Sequence, residues 1–204
     1  MASTKRRVRL LAEERSAQLL SCAIRVFARH GFGRAGHAAV AREAGCSVPT
    51  VFSYFPTRGD LVMAVLDEVA RFVMAQADHY HGSGEGGAQA VLEHVRAFAD
   101  SVDTHPDHAR ILLEWSTSVR DEGGVWSRYL DLQEQIARKI ARTIRRGQRA
   151  KTIPNGVDST DAARLVVGSA HMIAQMRLTQ QDPKTVAHFM EVLVRTALGL
   201  TRTQ

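Results

Sequence analysis

Thr50, Ser53 and Tyr54 recur at helical spacing behind Ser47, a residue type that caps helix N-termini. Their short hydroxyls and phenol can exchange hydrogen bonds with base edges and phosphate oxygens. That chemistry needs a rigid short helix, and residues 37–61, HAAVAREAGCSVPTVFSYFPTRGDL, provide one. They read as a short helix, a turn at Gly45, a second short helix and a fresh helix start. Ala41 sits where two steeply crossing helices need a small side chain, and Gly45 supplies a turn that a side chain would obstruct. Val40, Val48 and Val51 supply the shared apolar contact. The pattern is a helix-turn-helix, and double-stranded DNA is the partner it implies.

Charge points the same way. The chain carries 27 Lys or Arg against 21 Asp or Glu, a net +6. Residues 1–60 hold ten of the bases and four of the acids, so the whole excess lies in the helix-turn-helix module. Confined positive charge is an electrostatic footprint for phosphate. Lys5, Arg6, Arg7 and Arg9 precede any acid, in a segment too polar to pack, and suit an arm entering a minor groove.

The elements around this module are helical throughout. Apolar residues recur at three and four across nearly every segment, strand signals are almost absent, and only 5 prolines interrupt the 204 residues. The expected fold is all-α with nine helices. The first spans 12–30, with Leu19, Leu20, Ala23, Ile24 and Phe27 inward, and stops at Gly31. After the helix-turn-helix, Pro56 breaks the chain and T-x-x-D at Thr57 to Asp60 starts a helix reaching residue 80. Val62, Val65, Val69, Val73 and Gln76 share one of its faces, placing a glutamine on the core side. A loop over 81–87 precedes helices at 88–103, 106–120, 125–148, 159–179 and 183–201. The last two are apolar on more than one face, which predicts burial against the chain's own core and against a second copy in a four-helix dimer interface. Two domains are expected: residues 1–60 for DNA binding and 61–204 for dimerisation and a ligand. Two cysteines, Cys22 and Cys46, offer neither a disulfide framework nor zinc spacing, which favours a reducing cytoplasm. No apolar run approaches membrane-spanning length.

TVFSYFPTRGDLV after AREAGCS resembles the end of the DNA-binding domain of TetR-family transcriptional regulators. KRRVRL, FARHGFGRAGHAAVAREA, SVPTVFSYFPTRGDLV and LLEWSTSVRDE are similar to the LuxR/HapR branch, the quorum-sensing master regulators. The resemblance is dense over residues 5–71 and returns around Trp115. It implies a homodimer that sets one recognition helix per subunit into successive major grooves of a pseudo-palindromic site, with the basic arms in adjacent minor grooves. Carried residue by residue, it assigns the arm to Arg7 and Arg9 and the start of the second helix to Gly36 and His37. The recognition helix falls to Ser47, Val48, Pro49, Thr50, Ser53 and Tyr54, and Arg58 holds a phosphate. Ser53 stands where this branch has asparagine and Pro49 where it has alanine, which implies a related but relaxed or altered site.

A small-molecule pocket among the middle helices is the second expectation. Trp115, beside Glu114 and Ser116, could roof it and offer its indole N–H. The resemblance places Val73, Gln76, Phe98 and Ala170 near the same cavity, and in this branch the first two positions typically hold phenylalanine and the last cysteine. A wider, more polar cavity follows. His79 and His81 flank the loop, and His105 and His108 are read as surface residues; without a third clustered ligand, no metal site is expected. The basic run Arg138, Lys139, Arg142, Arg145, Arg146, Arg149 and Lys151 reads as a solvated helix end. No catalytic residue, cofactor or phosphate-cradling glycine loop is expected. The competing readings are a local ligand-responsive repressor of an efflux or catabolic operon and a helical ligand carrier or enzyme built around Trp115, Glu114 and Gln76.

Overall fold

The computed structural model describes residues 12–82, 87–117 and 124–200. Among them lie nine helices and no strand. Two compact units divide between Leu66 and Asp67, inside the fourth helix.

The first unit contains α1 (Ala12–Arg34), α2 (His37–Ala44), α3 (Val48–Tyr54) and the start of α4 (Arg58–His81). Leu19, Ala23, Ile24 and Phe27 of α1 are buried, and Leu20 is half-buried. Gly31, at φ 75°, kinks α1 where the stop was expected, and a short helical piece continues to Arg34. Arg25 donates to Glu43 at 2.9 Å, tying α1 to α2 and holding the Glu43 carboxyl below its ordinary range. Gly45, at φ 62°, ends α2 in a left-handed cap. Its N–H reaches the Arg42 carbonyl and the Cys46 N–H reaches that of Ala41, a Schellman closure that turns the chain sharply into α3. Thr57 and Asp60 bond reciprocally at the start of α4, with Thr57 N–H to the Asp60 carboxylate at 2.9 Å and Asp60 N–H to the Thr57 hydroxyl at 3.1 Å.

The second unit holds the rest of α4 with α5 (Ala88–Thr104), α6 (Pro106–Ser116), α7 (Val125–Arg149), α8 (Ser159–Leu178) and α9 (Pro183–Ala197). α8 packs on α5, α7 and α9, and its core is small and β-branched: Ala162, Ala163, Val166 and Ile173 face Val95, Ile140, Val186 and Val194. Asp158 and Asp182 cap α8 and α9, accepting backbone N–H bonds at 2.8 to 3.0 Å. Gly147 lets α7 approach the start of α5 closely, since a Cβ there would lie 2.8 Å from the Gly87 Cα.

Two helix ends differ from expectation. α6 closes at Ser116, because the Thr117 N–H turns back to Glu114. α9 closes at Ala197 rather than residue 201: Gly199, at φ 61°, forms a second Schellman cap with Leu200 N–H on the Arg195 carbonyl at 2.8 Å. The charged turn at Arg120, Asp121 and Glu122 lies outside the described residues, as do residues 83–86 of the loop.

Candidate functional site

α3 holds the side chains that the sequence reading assigns to DNA contact. Val51 is fully buried and Val48 half-buried, anchoring one face, while Pro49, Phe52 and Ser53 are exposed and Tyr54 is half-exposed. The Ser47 hydroxyl accepts from the Thr50 N–H at 3.3 Å and lies 2.8 Å from the Thr50 hydroxyl, so both side chains are partly committed to the cap. Ser53 donates its hydroxyl to the Thr50 carbonyl at 2.7 Å, which leaves only its lone pairs for an outside partner.

Two of the expected contact residues are engaged inside the unit. His37 is buried, and its Nε2 donates to the Phe55 carbonyl at 2.7 Å, bracing α2 against the end of α3. Its imidazole has no face left for DNA; what the start of α2 exposes is backbone, with Gly36 extended at φ −170° as the cap. Arg58 donates to the carbonyls of Phe32 and Ala35, so its guanidinium closes the α1–α2 connection before any phosphate reaches it. Phe52 was missed from sequence. It is 46% exposed, stacked on His37 with ring centroids 3.9 Å apart, and adjoins Ser53 on the outer face. The buried His37 beneath it makes the ring a surface platform, a pairing across 15 residues that no local pattern signals. Arg7 and Arg9 lie outside the described residues.

The second unit contains a cavity of about 70 Å³, with Val73, Gln76, Phe98 and Ala170 in its wall. Trp115 is not there. It is completely buried, and its indole N–H donates to the Val125 carbonyl at 2.6 Å, fastening α6 to the start of α7. Its ring packs on Tyr129, which does line the cavity. His94, Gln133 and His171 complete the polar part of the wall, and no Asp, Glu, Lys or Arg is among the lining residues. The Tyr129 hydroxyl accepts from Gln133 at 2.7 Å and meets His171 at 2.6 Å; burial pushes its pKa up to about 12, so it stays protonated. These residues gave no local signal, since five helices had to assemble before they met.

His81, expected beside a loop, is buried. Its Nδ1 meets the Thr143 hydroxyl at 3.0 Å and its Nε2 meets His94 Nδ1 at 2.9 Å. Burial, the neighbouring His94 and the charges of Arg146 and Lys139 lower the His81 pKa to about 3; burial lowers that of His94 to about 4. Arg146 turns inward from the basic run to the His81 carbonyl and Thr143, whereas Arg138 and Lys139 pair with Glu134 and Asp78 at the surface. His105 is exposed, His108 is half-buried, and both pack on Phe72 at 4.8 Å. No group of three or more metal-ligating side chains occurs among the described residues.

The profile of the bacterial regulatory proteins of the tetR family matches residues 19–65, from the middle of α1 into α4. Residues 19–65 are thus similar to the N-terminal domain of the tetR family. The TetR-type domain therefore coincides with the helix-turn-helix derived above. The HTH-type transcriptional regulator LuxR of Vibrio harveyi is 42% identical over 127 residues, which are 59% of this chain and 58% of LuxR. The chain thus aligns with less than two thirds of that relative's length. The HTH-type transcriptional repressor SCO4008 of Streptomyces coelicolor is 25% identical over 81% of this chain and 82% of its own. A transcriptional regulator from Saccharomonospora viridis, solved in complex with choline, superposes at TM-score 0.74 over 89% of this chain and 94% of its own, at 21% identity. Both curated relatives are HTH-type transcriptional regulators by name. No helix among the described residues is long and apolar enough to cross a membrane.

Proposed function

We propose that this chain is a homodimeric, sequence-specific transcriptional regulator of the LuxR/HapR type, acting in the cytoplasm on a pseudo-palindromic operator as a global quorum-sensing regulator. The observation that carries the reading is α3, a capped helix inside a TetR-type domain that exposes Pro49, Phe52 and Ser53 beside Tyr54. Arg7 and Arg9 serve as the minor-groove arm, and the backbone at Gly36 and His37 holds a phosphate. The unit ending at Leu66 binds DNA, and the one starting at Asp67 dimerises and holds a ligand.

Exposed apolar side chains support the dimer. Leu165 and Met172 on α8 are 59% and 51% exposed and lie two turns apart on one face, and Val192 on α9 is 42% exposed. A second copy covers them through the small-residue faces of α8 and α9. The cavity favours a second reading within the same class, a ligand-responsive repressor of a local operon.

Selection of duplexes from a random library by the purified protein, at near-physiological salt, tests the proposal. Enrichment of a two-fold palindrome with half-sites about one helical turn apart is expected. Binding without enrichment defeats it. Genome-wide occupancy at many sites supports the global regulator, and occupancy at one or two supports the local repressor.

A further inference from the structure

The wall of the cavity is apolar except at a few points, and those points are unequal. Tyr129 spends its hydroxyl on Gln133 and His171. Gln76 spends nothing: its Oε1 is buried with no hydrogen-bond partner. A buried acceptor left unpaired is costly, and within a cavity it marks the place where an outside donor would be bound most strongly.

The second unequal point is His94, whose tautomer follows from its partners. Thr143 is fully buried and its hydroxyl meets two partners, Arg146 Nη2 at 2.9 Å, which can only donate, and His81 Nδ1 at 3.0 Å, so the hydroxyl proton goes to His81 Nδ1, the one acceptor within its reach among the described residues. His81 must then carry its own proton on Nε2 and donate it to His94 Nδ1 at 2.9 Å. That leaves the His94 proton on Nε2, the nitrogen not used by His81, on a side chain that lines the cavity. Both imidazoles are neutral at pH 7. Gln76 precedes His81 on α4 and His81 holds His94 on α5, so amide and imidazole belong to the same α4–α5 wall.

We propose that this cavity takes a neutral, largely apolar molecule ending in a primary carboxamide, whose NH₂ donates to Gln76 Oε1 and whose carbonyl accepts from His94 Nε2–H. A carboxylate would turn its lone pairs on Gln76 Oε1, and no cationic side chain lines the cavity to offset its charge. An ammonium would meet Gln76 but face the His94 N–H with no acceptor to give. The choline of the Saccharomonospora viridis complex is a cation, so the ligand differs in class from that one. The inference rests on reading the cavity as a ligand site and is independent of DNA.

Calorimetry on the full chain without DNA, at about pH 7, tests it with a matched eight-carbon series: octanamide, octanoate, octan-1-ol and octylammonium. Octanamide is expected to bind about tenfold or more tighter than the others, the worth of one well-made hydrogen bond or one buried uncompensated charge. Gln76→Leu should weaken octanamide by about tenfold and should not weaken octanoate, which has no donor to lose. Equal or tighter binding of octanoate or octylammonium overturns the proposal, as does no octanamide binding or an unchanged affinity in the variant. Nitrogen NMR of the unmodified protein gives a second readout: His94 protonated on Nδ1 also overturns it. Failure in any of these leaves the duplex selection, and the regulator it tests, untouched.

Discussion

Ser53 shows how one atom sets what a recognition helix can read. Its hydroxyl proton is spent on the Thr50 carbonyl, so it presents lone pairs alone, while an asparagine there would present a donor and an acceptor together. Ser53→Asn is expected to sharpen discrimination at one base pair per half-site by about 1–3 kcal/mol, read as a change in the selected duplexes. Unaltered base preferences would show that this position does not face the bases. His37 and Arg58 carry the opposite lesson. Both have the chemistry to meet a phosphate, and both are committed to carbonyls of their own unit.

At the scale of elements, close approach and reach decide behaviour. α7 passes the start of α5 at Gly147, where an added methyl would meet the Gly87 backbone on one side and Ile153 on the other. Backbone cannot rotate away, so Gly147→Ala should cost about 1–3 kcal/mol, measured by urea denaturation. The proposed arm acts by electrostatics rather than fit. Changing Arg7 and Arg9 together to alanine is expected to weaken binding to all duplexes alike and to lower the salt slope by about two, one for each lost phosphate-type contact. A slope that stays put removes the arm from the mechanism.

The whole molecule adds two consequences that no single helix holds. His81 and His94 fold neutral, with pKa values of about 3 and 4 against an ordinary 6.5. The unfolded chain binds their protons more readily, so stability is fully present above pH 6.5 and drains away as pH falls toward the folded values. Each histidine contributes a slope approaching about 1.4 kcal/mol per pH unit in that window, visible as a falling urea midpoint between pH 7 and pH 5. A midpoint flat over that range would show the pair solvated. Assembly is the other consequence. Leu165 and Met172 are exposed in the single chain, so Leu165→Glu with Met172→Glu should leave its thermal unfolding little changed while yielding monomers in sedimentation and abolishing tight binding to a palindrome. A variant that still sediments as a dimer would place the interface elsewhere.

Sequence by itself determined the all-helical character of the described residues, the left-handed break at Gly31 (though not the helical piece that continues to Arg34), the stop at Gly45, the Thr57–Asp60 start and the burial of Val62, Val65, Val69 and Val73. Those features are local: a glycine's left-handed φ, a cap's hydrogen bond and a period of 3.6 residues are written within a few positions of one another. Gln76 on the core side was legible for the same reason. Trp115 was not, because a buried indole needs only one acceptor, and whether it finds a ligand or the Val125 carbonyl depends on how α7 lies. Likewise His94, Tyr129 and His171 entered the cavity, and His81 left the surface, only when α4, α5, α7 and α8 packed together. Tertiary structure decided which polar atoms were spent inside the fold and which remained to be offered, because partners distant in sequence compete for the same donors and acceptors.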